Sequence, residues 1–151
     1  MINTAAAKEY ARALFLLARR TARIEEIASD FEAFIRLLET APKLRLFLLA
    51  PQISADKKCR AFREALEGKV DENFLRFLLV TISKRRHGIL EGINEAYREE
   101  LNCYYNRQDV EVATAVELTG SEQEKLSAGL SGRLGKKVDQ PAQQMRVDFC
   151  L

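Results

Sequence analysis

Ile24-Glu25-Glu26-Ile27-Ala28-Ser29-Asp30-Phe31-Glu32-Ala33-Phe34-Ile35-Arg36-Leu37-Leu38 is the stretch on which the fold turns. Its apolar residues Ile24, Ile27, Ala28, Phe31, Phe34, Ile35 and Leu38 recur at three- and four-residue steps. A strand would alternate every second residue, whereas this spacing draws one apolar stripe down an α-helix. The pattern predicts a helix from about Arg23 to Thr40.

The same period extends in both directions. Upstream, Thr4 can cap a first helix through Ala5 to about Arg20. Downstream, Pro42 opens a short third segment, Lys43 to Leu49, which Pro51 closes. Ser54 is placed to cap a fourth helix carrying Ala55, Cys59, Phe62 and Leu66 on one face, with Gly68 just past its end. Asp71 can cap a fifth from Glu72 to about Arg85. Gly88 punctuates, and Ile89, Ile93, Ala96, Tyr97, Leu101 and Tyr104 form the inner stripe of a sixth. Short connections between such helices favour an antiparallel six-helix bundle over residues 1–105.

Near Asn106 the period changes. Val110, Val112, Thr114 and Val116 alternate with Glu111, Ala113 and Ala115, which predicts a strand. Thr119 and Glu122 offer a helix start, Leu126, Leu130 and Leu134 stack at four-residue steps, and Gly135 ends the helix. Lys136-Lys137-Val138 reads as the start of a second strand. A strand, a helix and a strand are too few for a stable sheet, and Asp139 to Leu151 has no clear period. The expected fold is therefore mainly α, the bundle being followed by a small, incomplete α/β domain over residues 106–151.

The 151 residues are 47% hydrophobic and 30% charged, a globular composition. A chain of this size buries roughly two-thirds of its unfolded surface and needs no metal or disulfide staple. With 24 basic and 22 acidic residues the net charge is only +2, which gives no strong field for nucleic acid or anionic lipid. Cys59, Cys103 and Cys150 are widely spaced and odd in number, so reduced thiols are expected rather than a disulfide framework or zinc site. No apolar run approaches the ~20 residues that cross a bilayer, and Met1-Ile2-Asn3-Thr4 does not resemble a secretory signal.

Two helices carry more apolar surface than one packed face requires. The first has Ala6, Tyr10, Ala13, Leu14 and Leu17 on one side, and Ala7, Ala11, Phe15 and Ala18 on another. The fifth has Phe74, Phe77, Leu78 and Ile82 on one face, with Leu75, Leu79 and Val80 elsewhere. Either both helices are central in the bundle, or a groove between them accepts a foreign amphipathic helix. Composition alone leaves both readings open.

Catalytic chemistry has few handles here. The one histidine, His87, sits in Lys84-Arg85-Arg86-His87-Gly88 at a helix end, where cations complement the helix dipole and cap carbonyls. The seven glycines form no phosphate-binding loop. Carboxylates such as Glu25, Glu26, Glu32, Glu95, Glu99 and Glu100 fall on solvated helix faces. The expectation is a protein that binds other proteins and catalyses nothing, without cofactor or metal. A reading from a different class takes the basic cluster as a weak RNA contact, as in small helical transcription-antitermination proteins.

Lys8-Glu9-Tyr10-Ala11-Arg12-Ala13-Leu14-Phe15-Leu16-Leu17-Ala18 resembles the opening helix of the delta subunit of F-type ATP synthase, called OSCP in mitochondria. In the same order, Leu49-Ala50-Pro51-Gln52-Ile53 with Lys57-Lys58 resembles the family's proline turn. Asn73-Phe74-Leu75-Arg76-Phe77-Leu78-Leu79 with Lys84-Arg85-Arg86 is similar to its fifth helix and basic turn. Val110-Glu111-Val112-Ala113-Thr114-Ala115-Val116-Glu117-Leu118 is similar to its first C-terminal strand. The family continues through Asp-x-x-Leu-Ile-Gly-Gly, and Arg146-Val147-Asp148-Phe149-Cys150-Leu151 resembles the start of that segment, cut before the glycines.

The resemblance implies a peripheral-stalk role, tying the alpha/beta catalytic head to the b subunits so that proton-driven rotation is coupled to ATP synthesis. Carried over by position, the contacts with the alpha-subunit N-terminal helix are Tyr10, Ala13, Leu14, Leu17, Arg76, Phe77 and Val80. Val112, Leu126 and Leu130 would support the b-facing domain. The implied location is the cytoplasmic face of a bacterial inner membrane, reached through the complex without membrane insertion and without nucleic acid.

Overall fold

The computed structural model describes residues 4–108, 118–135 and 137–138. Seven α-helices and one 3-10 turn make the described chain mainly helical. They are α1 (Thr4–Arg20), α2 (Ile24–Thr40), α3 (Pro42–Leu49), α4 (Ala55–Leu66), α5 (Glu72–Ser83), the 3-10 turn His87–Ile89, α6 (Leu90–Tyr105) and α7 (Gly120–Leu134). The chain divides into two compact units, Met1–Leu101 and Asn102–Leu151.

Local chemistry sets the ends of several helices. The Ser54 hydroxyl accepts from the Lys57 N–H at 3.4 Å, opening α4. The Asp71 carboxylate accepts from the N–H groups of Asn73 at 2.8 Å and Phe74 at 3.4 Å, opening α5. Asp71 is itself held from α2, because its own N–H donates to the Asp30 carboxylate at 2.6 Å. Gly68, just beyond α4, takes a φ of 75° that a β-carbon would strain. Thr4 lies within α1 rather than before it, and Arg23 precedes α2 with no side-chain cap.

α5 ends at Ser83, two residues before the sequence reading placed its end. The basic cluster therefore lies beyond the last turn and does not cap with side chains. Backbone N–H groups close the helix instead, Lys84 to Val80 O at 3.0 Å, Arg85 to Ile82 O at 2.9 Å and Arg86 to Thr81 O at 2.9 Å. Arg85 takes the left-handed conformation that this exit demands, with φ 55°.

In the first unit α5 packs against α1, α2 and α4, and α2 also meets α1 and α3. All six helices of the unit send side chains into one core, among them Leu14, Phe31, Leu48, Phe62, Phe74 and Tyr97. Aromatic rings run through it in sequence. Tyr10 meets Phe77 at 6.3 Å between centroids, Phe77 meets Phe31 at 6.1 Å, and Phe31 meets Phe74 at 5.3 Å. Phe74 then meets Phe34 at 6.2 Å, Phe34 meets Phe62 at 5.8 Å, and Phe62 meets Phe47 at 6.1 Å. A second contact, Phe15 on Tyr97 at 5.8 Å, joins α1 to α6, and the Tyr97 hydroxyl donates to Ile24 O at 3.1 Å. Edge and tilted ring pairs of this kind add to the stabilisation from burial alone.

Tyr104, expected in the inner stripe of α6, is 48% exposed; the buried stripe is Leu90, Ile93, Ala96 and Tyr97. On α4 the buried residues are Phe62 and, against expectation, Lys58.

In the second unit α7 starts as the sequence predicted. The Glu122 carboxylate accepts from Thr119 N–H and hydroxyl, both at 2.9 Å, and these bonds, the backbone one foremost, hold its pKa below the usual value. Gly135 ends the helix at φ 64°. Arg107–Gln108 pairs in parallel with Lys137–Val138 on either side of α7. Two residues a side fall far short of a sheet layer, so the expected α/β domain is not made by the described residues. The predicted strand Val110–Val116 lies outside them, as do Cys150 and the segment Arg146–Leu151.

Candidate partner-binding groove

The two apolar sides of α1 meet different fates. Ala7, Ala11, Leu14, Phe15 and Ala18 are buried, each at 5% exposure or less. The other side, Tyr10, Ala13 and Leu17, is left half-buried or exposed. Rotation explains the split, since residues 7, 11, 14, 15 and 18 share one sector of a 3.6-residue helix and residues 10, 13 and 17 the adjoining one. The three buried alanines are small enough to let α1 come down close onto its neighbours.

α5 divides likewise. Phe74, Leu75, Leu78, Thr81 and Ile82 are buried, Phe77 is half-buried, and Arg76 and Val80 are exposed, Val80 at 51%. Buried Thr81 satisfies its hydroxyl within the helix, on Phe77 O at 2.8 Å. The edge-on contact of Tyr10 with Phe77 brings the outer sectors of α1 and α5 side by side. Tyr10, Ala13 and Leu17 lie on the outer apolar sector of α1 and Phe77 and Val80 on that of α5, an apolar strip joined at the Tyr10–Phe77 contact. Arg76 stands at its edge, ion-paired along the helix with Glu72.

Of the seven positions named from sequence, six have surface available to a partner. The exception is Leu14. At 1% exposure it belongs to the floor beneath the strip and is not a contacting wall. Its position at the boundary of the two sectors made it readable either way from spacing. Exposed leucines also occur away from the strip, at Leu16, Leu37, Leu46 and Leu49.

Sequence reasoning did not find Lys58. It is 3% exposed and donates from Nζ to Ala50 O at 2.7 Å. His87 lies nearby in the 3-10 turn, its pKa lowered first by burial and then by Lys58 and Arg85. Cys59 is half-buried, with its thiol contacting Leu79 O at 3.5 Å, and burial raises its pKa, which disfavours the reactive thiolate. Among the described residues no three His, Cys, Asp or Glu side chains gather as metal ligands, and no helix is long and apolar enough to cross a membrane.

Comparison with known proteins gives a consistent result. The family model of the ATP synthase delta (OSCP) subunit matches residues 6–145. A protein named ATP synthase subunit delta from Symbiobacterium thermophilum is 36% identical over 138 residues, covering 91% of this chain and 74% of that one. Its namesake from Rubrobacter xylanophilus is 35% identical over 130 residues, covering 86% and 72%. That from Clostridium acetobutylicum is 32% identical over 135 residues, covering 87% and 73%. A match that runs almost the length of the chain, through both the helices and the region after Asn106, identifies the chain as a member of the ATP synthase delta (OSCP) subunit family.

Proposed function

We propose that this chain is the peripheral-stalk subunit of a rotary F-type ATP synthase, acting as a non-catalytic tether between the catalytic head and the b-subunit stalk. In this reading residues 1–105 form an antiparallel six-helix bundle whose α1/α5 strip receives the N-terminal helix of an alpha subunit. Residues 106–151 face the b subunits. The complex sits on the cytoplasmic face of a bacterial inner membrane, and this subunit reaches the membrane only through its partners.

One observation carries the reading: in a member of this family, the uncovered apolar sides of α1 and α5 make an apolar strip that meets at the Tyr10–Phe77 contact. Such a strip suits the apolar face of an amphipathic helix, which presents side chains at i, i+3, i+4 and i+7. Tyr10 supplies a rigid anchor with a polar tip, and exposed Ala13 lets a visiting backbone come close. A tether works by staying bound. Proton-driven torque would turn the head with the rotor unless the joint held, so slow dissociation matters more than any polar chemistry. A standard-sized helix-in-groove contact reaches nanomolar affinity, about −12 kcal/mol.

The test is calorimetric titration of the chain with a peptide of the alpha-subunit N-terminus at moderate salt. Saturable one-to-one binding that changes little with salt is the expected result. Absence of peptide binding together with salt-sensitive RNA binding would overturn the proposal in favour of a nucleic-acid role for Lys84-Arg85-Arg86.

A further inference from the structure

α3 is held to the first unit in an unusual way. Of its eight residues only Leu48 is fully buried, while Leu46 is 69% exposed and Leu49 45%. Apolar burial therefore anchors this helix weakly, and polar contacts from other elements converge on it. Lys58 of α4 donates to the carbonyl of Ala50, the residue that caps the end of α3. Glu91 of α6 pairs with Arg45 of α3 at 3.0 Å. The 3-10 turn His87–Ile89 packs directly against α3.

His87 is the group in this junction whose charge can change near neutral pH. Its Nδ1 is buried and has no hydrogen-bond partner among the described residues. The cations that act on it are Lys58 from α4 and Arg85 from its own turn. The α6 carboxylate nearest in sequence, Glu91, is already engaged by Arg45 of α3. A proton added to this imidazole would meet buried positive charge and no free counter-ion in this set.

We propose that His87 is an acid-sensitive latch, and that its protonation beside the buried Lys58 ammonium releases α3 and the 3-10 turn from the body of the first unit. Neutral His87 is compatible with the closed junction; charging this half-buried imidazole, whose Nδ1 is enclosed without a partner, drives it toward solvent, and the turn moves with it. Opening would bare Phe47 and Leu48 beside the already exposed Leu46 and Leu49.

The direction of the pH effect follows from the proton balance. The unfolded chain takes up a proton as pH falls through the ordinary histidine value of 6.5, whereas the folded junction resists until lower pH. The stabilisation is thus complete above pH 6.5 and is lost as pH falls below it.

His87 is the only histidine in the chain, so its imidazole gives one unambiguous NMR titration. In the full chain we expect a midpoint below 6.5 and a melting temperature that drops by several degrees between pH 7.5 and 5.5. In His87→Gln, which cannot take up the proton, that drop should flatten. At pH 5.5 the Ala50 amide, bonded to Leu46 O at 2.9 Å, should exchange faster in the wild type than in the variant. A midpoint at or above 6.5, or an equal acid-dependent fall in the variant, would overturn the proposal. Should His87→Gln fail to fold at any pH, the wild-type midpoint and the pH dependence of its melting decide the matter.

Discussion

Val80→Asp tests the proposed groove separately from the core. Val80 is 51% exposed, so about half of its side chain is free to be covered by a partner. Burying a whole valine contributes about 1.5–3 kcal/mol, which puts the share available at this position at about 1 kcal/mol. Asp removes that share and brings a carboxylate under the incoming helix, where burying an unpaired charge costs several kcal/mol. The sum, about 3 kcal/mol or more, corresponds to about a 100-fold loss of affinity or worse. The fold should feel far less. Val80 sits in the last turn of α5, its carbonyl accepting from Lys84 N at 3.0 Å and Ser83 Oγ at 2.8 Å. A negative charge there opposes the helix dipole by about 0.3–1 kcal/mol. Titration calorimetry with the alpha N-terminal peptide, run beside circular dichroism, reads both effects. Affinity within threefold of wild type in a folded variant would refute the groove, and collapse of the dichroism spectrum would refute the placement of Val80 on the surface.

Tyr10→Ala should weaken peptide binding by at least tenfold in the same assay with little change in helicity, because Tyr10 is half-buried and its edge contact with Phe77 is only one of the core's ring pairs. Asp71→Ala should cost about 1 kcal/mol by removing the acceptor for two N–H groups at the start of α5, read as a lower urea midpoint at unchanged slope. Phe74→Ala should cost about 3–5 kcal/mol in the same denaturation experiment, since the ring is fully buried between Phe31 and Phe34.

The helices were legible in the sequence wherever a local signal set them. Ser54 and Asp71 open α4 and α5 through bonds to N–H groups two or three residues on, and Gly68 and Gly135 take positive φ just past helix ends. These devices act over a few residues and so leave a mark in the sequence. The sides of α1 were not legible, because both its sectors are apolar and only the packing of neighbours decides which is covered. That is why Leu14 reads as a contact residue while the structure buries it beside Ala11 and Ala18. Lys58 was hidden for the same reason, its partner being the Ala50 carbonyl eight residues earlier, on the far side of a turn. Tyr104 failed in the opposite sense. It keeps the period of its helix, but the fully buried stripe stops at Tyr97, so that part of the helix lies beyond the core.

The seven rings that run from Tyr10 to Phe47 bear on how the joint would fail under load. A visiting helix pulled sideways acts on Tyr10, and Tyr10 leans on Phe77 of α5, which leans on Phe31 of α2. Packed interiors are nearly incompressible, so the strain passes on to Phe74, Phe34, Phe62 and Phe47 rather than being absorbed locally. Under the proposed docking, shear applied at the surface of α1 would be shared among the five helices that these rings connect rather than borne by α1 alone.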